Sequence, residues 1–258
     1  MLGAIIGDIA GSRFEFANTF DKDFKLFTNE CDFTDDTICT VAIAECLLNG
    51  SDDYESYLLK WCRRYPFPMG AYGGRFGEWV RSSNPCPYNS FGNGSAMRVS
   101  PIGFWFKNLQ KAENEAEKSA ACTHNHPEGI KGAKALAHAI SFTQIGATDK
   151  SRMVAVHTVA ENFYPGYLNA VYVKGKFDET CQGTVPLCFK LLQESNSFED
   201  AIRNAISFGG DSDTIAAIVG SLAEAVFGIP DSIKKKAERF IPIEMLKIVR
   251  EFYSRLNG

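Results

Sequence analysis

Two acidic runs carry the chemistry open to this chain: Thr34-Asp35-Asp36-Thr37 and, far along the sequence, Asp211-Ser212-Asp213-Thr214 after the pair Gly209-Gly210. Each supplies two carboxylates and flanking hydroxyls, the oxygen donors that hard divalent cations such as Mg2+ or Mn2+ take. Four carboxylates brought together repel unless a cation neutralises them or they hold protons. Helix capping by itself also favours Asp and Thr at such positions. A cap needs one side-chain acceptor, however, and each run offers more. The Gly-Gly pair adds the backbone freedom for a turn that aims several oxygens at one point. Together the two runs suit the halves of one cation site in a metal-dependent hydrolase.

Three further motifs could join that site. Gly7-Asp8-Ile9-Ala10-Gly11-Ser12-Arg13-Phe14-Glu15 either delivers a catalytic carboxylate, Glu15, just beyond a closely packed helix, or is a buried helix ending in surface charge. Phe91-Gly92-Asn93-Gly94-Ser95-Ala96-Met97-Arg98 either offers backbone N–H groups to a phosphate or is an ordinary turn. Thr123-His124-Asn125-His126-Pro127 either ligates a metal or positions a substrate, or makes polar contacts before a helix. Tyr72 and Trp79 lie in a region of little periodicity and are candidates for stacking on a ligand.

Helices must position these groups. Segment 36–48 repeats apolar residues at Ile38, Val41, Ala42 and Cys46, with Thr34 as its cap. Segment 130–145 carries Ala133, Leu136, Ala137 and Ile140 at helical spacing. Ser197-Phe198-Glu199-Asp200 has the pattern of a capping box. Segment 213–227 is apolar almost all round and predicts a central helix, stopped by Gly228 and Pro230. Pro242 opens a last helix, with Ile243, Leu246, Val249, Phe252 and Tyr253 expected inward. Gly3, Gly7 and Gly11 fall on one helical face, where another backbone can approach closely. Strand signals are few: Asn169 to Val173 alternates weakly. Tyr65 to Arg98, rich in Gly, Pro, Ser and Asn, reads as a long irregular surface region. The expectation is one mainly α domain over 1–258.

Composition bounds the rest. The 258 residues suffice for one large core, and the charge balance of 27 basic against 31 acidic residues, net −4, argues against a broad nucleic-acid surface. No apolar run reaches the roughly 20 residues of a membrane span. Met1 to Ile9 lacks a basic leader and a cleavage site, so no signal peptide is expected. The cysteines at 31, 39, 46, 62, 86, 122, 181 and 188 form no C-x-x-C pair and read as reduced core residues of a cytoplasmic protein. Only four histidines limit histidine-based metal chemistry.

In this order, Gly7-Asp8-x-x-Gly11-Ser12 with Glu15, Thr34-Asp35-Asp36-Thr37, Gly92 to Arg98, His124-x-His126-Pro127 and Gly210-Asp211-x-Asp213-Thr214-Ile215-Ala216 resemble the ADP-ribosylglycohydrolase family. The resemblance runs from Gly7 to about Gly228. It implies an all-α orthogonal helical domain with two divalent cations, Mg2+ or Mn2+. It implies cleavage of the glycosidic bond between ADP-ribose and an acceptor: a protein side chain such as arginine or serine, or a small conjugate. By motif matching, Thr34, Asp35, Asp36, Asp211, Asp213 and Thr214 would be metal ligands, and Glu15, Asp36 and Asp213 would serve the chemistry. Gly92, Asn93, Gly94, Ser95, Met97, His126 and Tyr72 would meet the substrate. The chain is short for the family, and Ser212 stands where Thr is frequent. Residues 162–183 match no pattern of the family and are where specificity would be shaped. A non-catalytic ADP-ribose-binding or structural relative is the alternative, and a phosphoesterase-type two-metal hydrolase is a third; the complete ligand set and Glu15 favour catalysis.

Overall fold

The N-terminal run Leu2–Gly11 forms α1, a helix in which every residue is buried. A 3-10 turn, Ser12–Phe14, ends it. Thirteen more helices follow in the computed structural model, which describes residues 1–146 and 148–256; the expected domain over 1–258 includes Ala147, Asn257 and Gly258, outside the described residues. They are α2 (Asp35–Leu48), α3 (Tyr54–Arg64), α4 (Gly74–Arg81), α5 (Gly94–Met97), α6 (Ser100–Trp105), α7 (Leu109–Ala121) and α8 (Pro127–Thr143). The series continues with α9 (Asp149–Phe163), α10 (Cys181–Gln193), α11 (Phe198–Phe208), α12 (Ser212–Phe227), α13 (Asp231–Ala237) and α14 (Ile243–Leu256). The fold is all-α. Among the described residues the only β pairing is an isolated antiparallel bridge between Gly92 and Thr180.

The core is organised by α1 against α12. Residues Ser212 to Ala223 of α12 are all buried, as its uninterrupted apolar pattern predicts. The glycine face of α1 lies on it, antiparallel. A Cβ on Gly3 would come within 2.2 Å of the Gly220 carbonyl oxygen, and one on Gly7 within 1.9 Å of that of Ala216. A Cβ on Gly11 would sit 2.7 Å from the Asp213 Cα. Three glycines weaken α1 intrinsically, by about 1 kcal/mol each relative to Ala; the backbone approach they allow offsets that. At the far end Glu224 accepts from the Gly3 N–H at 2.8 Å and from the Tyr253 hydroxyl, tying α1, α12 and α14.

Local signals hold with exceptions. Thr34 caps α2 by accepting from the Asp36 N–H at 3.2 Å. Ser197 accepts from Asp200 N–H, but the Asp200 carboxylate turns to Asn196 N–H instead of closing the box on Ser197. Ile243 is 65% exposed: the helical wheel turns it away from the face shared by Met245, Leu246, Val249 and Phe252. Residues 65–98 hold two helices, α4 and α5, rather than irregular chain alone. The spacing of Phe76, Trp79 and Val80 suits a buried helical face, but over only eight residues among glycines. Trp79 is part of this core and does not face a ligand site. Asn169 to Val173 forms no strand.

Gly7→Val should therefore lower the thermal midpoint sharply, by overpacking that costs about 3 kcal/mol or more. Gly73→Ala, where an added Cβ meets nothing within 4 Å, should stay within about 0.5 kcal/mol of the parent. Thermal unfolding followed by circular dichroism checks both; equal midpoints would contradict the packing.

Candidate active site

Helix α1 carries the first link between the two acidic runs. Asp8 is the only charged residue in this ten-residue helix and is fully buried. Its carboxylate accepts from the Thr34 N–H at 3.0 Å, the Thr34 hydroxyl at 2.7 Å and the Thr37 N–H at 3.1 Å, and from the Thr37 hydroxyl. It thus holds the first turn of α2. Three residues on, Gly11 touches Asp213 at the first turn of α12. The two helix N-termini converge, and the Thr214 hydroxyl donates to Asp36 Oδ2 at 3.0 Å between them. Sequence motifs alone gave Asp8 no role; the signal was a lone acid in an apolar helix.

The remaining acids close around this junction. Gly209 and Gly210 take φ values of 76° and 85°, which only glycine adopts readily, and so turn the chain into α12. Asn18 clasps that turn: it accepts from the Gly210 N–H at 2.8 Å and donates to the Gly210 carbonyl at 3.0 Å. It also donates to the Phe14 carbonyl at 2.7 Å, so the loop bearing Glu15 is fastened to the second acidic run. Glu15 is half-buried against Gly70, whose added Cβ would lie 2.5 Å from Glu15 Oε2. Glu15, Asp211 and Asp213 each present a carboxylate oxygen within 4.8 Å of one another. Asn93 Nδ2 donates to Asp211 Oδ2 at 2.6 Å.

Their surroundings shift these carboxyls toward the protonated form. Burial, then the charges of Asp213, Asp8 and Glu179, push Glu15 up to about 8. Burial raises Asp211 to about 7 against the opposing hydrogen bond from Asn93, and Asp8 to about 6 against its bonds from Thr37 and Thr34. Burial carries Asp35, Asp36 and Asp213 well above the carboxylate range, and neighbouring carboxylates add to it. Asp36 Oδ1 and Asp213 Oδ1 are buried without a hydrogen-bond partner among the described residues. Buried orphan acceptors of this kind, one from each run, fit an oxygen-seeking cation. Helix N-termini disfavour cations; a cation here would rely on the surplus of acids to overturn that preference.

A cleft of about 330 Å³ opens over these groups, within the span of small-molecule sites. Glu15, Asp35, Asp36, Asp211, Asp213 and Thr214 line one part, and Gly92, Asn93, Gly94, Met97, His124 and Tyr72 another. The glycine loop offers fewer free donors than its sequence suggests: Gly92 N–H is taken by Ser90 Oγ and Asn93 N–H by the Glu179 carbonyl. The Ser95 hydroxyl turns inward to the Gly129 carbonyl at 2.7 Å. Thr34 is buried; its hydroxyl donates to Asp8 and accepts from the Asp36 N–H, which leaves it one lone pair. His126 does not face the cleft, because its Nδ1 caps α8 by accepting from the Glu128 N–H at 3.1 Å. His124 faces it instead. From residues 162–183, together with the adjoining Phe16, the rim gains Phe177 and Glu179; the Phe16 and Phe177 rings stack with centroids 6.0 Å apart.

Comparison with known proteins accords with this architecture. A family model described as ADP-ribosylglycohydrolase matches residues 1–256. The chain is 26% identical to an ADP-ribosylarginine hydrolase of Pseudomonas putida over 92% of its own length and 73% of that protein. It is 25% identical to the ADP-ribosyl-dinitrogen reductase glycohydrolase of Rhodospirillum rubrum over 89% of this chain and 85% of the relative. A solved ADP-ribosylglycohydrolase-related protein complex superposes with a TM-score of 0.76 at 22% identity, covering 100% of this chain and 96% of that one, which establishes the likeness of fold.

Carboxyls with raised pKa values bind protons more tightly folded than unfolded. Their stabilisation is complete below their ordinary value of about 4 and is lost as pH rises through about 6 to 8. The midpoint of the ion-free protein should therefore fall between about pH 5 and about pH 8. Mn2+ competes with protons for the same oxygens, so it should raise the midpoint more at the higher pH. Asp213→Asn should remove most of that gain and keep the helical spectrum. A midpoint indifferent to Mn2+ at the higher pH would contradict the site.

Proposed function

We propose, from the premise that this chain belongs to the ADP-ribosylglycohydrolase family, that it hydrolyses the glycosidic bond between ADP-ribose and an acceptor. The observation that carries the reading is a single cleft with chemically opposite parts. One is a set of buried carboxyls with unpartnered oxygens; the other is a glycine loop beside a histidine. A ribose bearing a diphosphate needs both. The acceptor we assign is the side chain of a modified protein, arginine or serine, or a small ADP-ribose conjugate; the likeness to the ADP-ribosylarginine hydrolase of Pseudomonas putida favours arginine.

Two divalent cations, Mg2+ or Mn2+, would be held by Asp36 and Asp213 with Asp35, Asp211, Thr34 and Thr214 beside them; when bound they grip hydroxyl oxygens and lower the pKa of water. The chain's own groups do the rest. His124, with the loop from Gly92 to Gly94, binds the diphosphate, and Tyr72 and Met97 wall the ribose. As the bond from the anomeric carbon to the acceptor breaks, positive charge develops on the sugar. The surrounding carboxylates favour that charge. Glu15, half-buried and raised to about 8 before any cation binds, moves the proton at its carboxyl oxygen. It gives a proton to the departing acceptor atom and takes one from the water that attacks the anomeric carbon. Phe16, Phe177 and Glu179 at the rim meet the acceptor. All eight cysteines are free, as suits a reducing cytoplasm, and among the described residues no helix is long and apolar enough to cross a membrane.

Glu15→Gln should lower kcat about 10²- to 10⁴-fold while ADP-ribose affinity changes little. Chromatographic release of ADP-ribose from arginine- or serine-modified peptides, with Mn2+ bound, checks it. Full activity in the variant would remove Glu15 from the chemistry. No release from any of these substrates by the parent would end the reading.

A further inference from the structure

Arg98 lies beneath the cleft, fully buried, with a guanidinium that offers only hydrogen-bond donors. Among the described residues no carboxylate pairs with it. Its Nη2 donates to the Ser119 carbonyl at 2.9 Å and to the Thr123 hydroxyl at 2.8 Å, while Nε and Nη1 have no partner. A charge so poorly screened acts at range on its neighbours. One of these is His124.

Thr123 joins the two. Its Oγ1 is 2.7 Å from His124 Nδ1 as well as 2.8 Å from Arg98 Nη2. A guanidinium can only donate, so the Thr123 oxygen accepts from it. Thr123 is fully buried, and the strong acceptor within reach of its hydroxyl hydrogen is His124 Nδ1 at 2.7 Å, with the Cys122 sulfur beside it as a weak one. A proton on Nδ1 would leave that hydrogen only the weak sulfur acceptor, which buried polar groups avoid. The chain of donors therefore runs from Arg98 through Thr123 to Nδ1, and the neutral ring carries its proton on Nε2. Nε2 makes no bond within the described residues and faces the glycine loop: a Cβ would lie 3.1 Å from it at Gly94 and 3.4 Å at Gly92.

We propose that Arg98 and Thr123 are positioning residues that lock His124 in the Nε2–H tautomer, so that the cleft presents a fixed, neutral N–H donor to a phosphate oxygen of ADP-ribose. The identity of the anion rests on the functional reading above; the tautomer does not. The arrangement explains the absence of side chains at Gly92 and Gly94, which leave room beside Nε2 for an oxygen. Burial, and after it the Arg98 charge, holds His124 well below its ordinary value, which keeps the ring uncharged.

The test is the ring-nitrogen spectrum of 15N-labelled full-length protein. Four histidines make every ring assignable. The expected result is Nδ1 unprotonated and Nε2 protonated at His124 in the parent. Thr123→Val should release the tautomer and raise the Kd for ADP-ribose about tenfold, with Thr123→Ser restoring both. A proton on Nδ1 in the parent overturns the proposal, and so does Thr123→Val with unchanged tautomer and affinity. Should that variant not fold, the parent spectrum and Thr123→Ser decide: an Nε2–H ring in both supports the relay, and an Nδ1–H ring in either overturns it. ADP-ribose that fails to bind the parent overturns the functional reading and the assigned anion, while the spectrum still decides whether the relay exists.

Discussion

The backbone-to-backbone contact of α1 with α12 is the constraint on which the site depends. Gly3, Gly7 and Gly11 let the two helices approach until a methyl group no longer fits between them. Because they run antiparallel, the end of α1 reaches the start of α12. Asp8 lies one helical turn before Gly11 and grips the start of α2 at the same level. One helix thus fixes two others by their N-termini, and the acidic runs at those N-termini become neighbours. Glu15 follows α1 directly, and Asn18 pins its loop to the Gly209-Gly210 turn. Six carboxyl groups converge because of a stripe of glycine.

That convergence is unfavourable by itself. Buried carboxyls beside one another hold protons above their ordinary range, and two of their oxygens have no partner among the described residues. Local stability is given up here, as is common where function demands a particular arrangement. The rest of the fold compensates: α12 is buried along nearly its whole length, and Glu224 closes the far end of α1. The cleft therefore combines buried acids with hydrogen-bond donors, among them His124, Arg75 and Arg98.

Much of this was legible in the sequence, for physical reasons that are local. The caps at Thr34 and Ser197, the apolar run of α12, the glycine face of α1 and the positive-φ turn at Gly209-Gly210 follow from residue type and spacing within one element. What escaped depends on contacts across the chain. Asp8 looks like a misplaced charge until Thr34 and Thr37 are seen around it. His124 and His126 are two residues apart and chemically alike; only the start of α8 decides that one caps and the other faces the cleft. Arg98 reads as the end of a loop motif, yet its partners come from α7 and the turn beyond it. Phe177 and Glu179 join the rim because residues 179–181 pair with the glycine loop at Gly92, a bridge that no alternation announces.

Diffraction from crystals grown with Mn2+ and ADP-ribose, recorded for the anomalous signal of the metal, tests the central claim that α1 joins two acidic helix starts into one cation site. The account predicts anomalous peaks in contact with carboxylates of both runs, Asp36 and Asp213 among them, with the ribose beside Glu15. Peaks on one run alone, or metal remote from both, would contradict it.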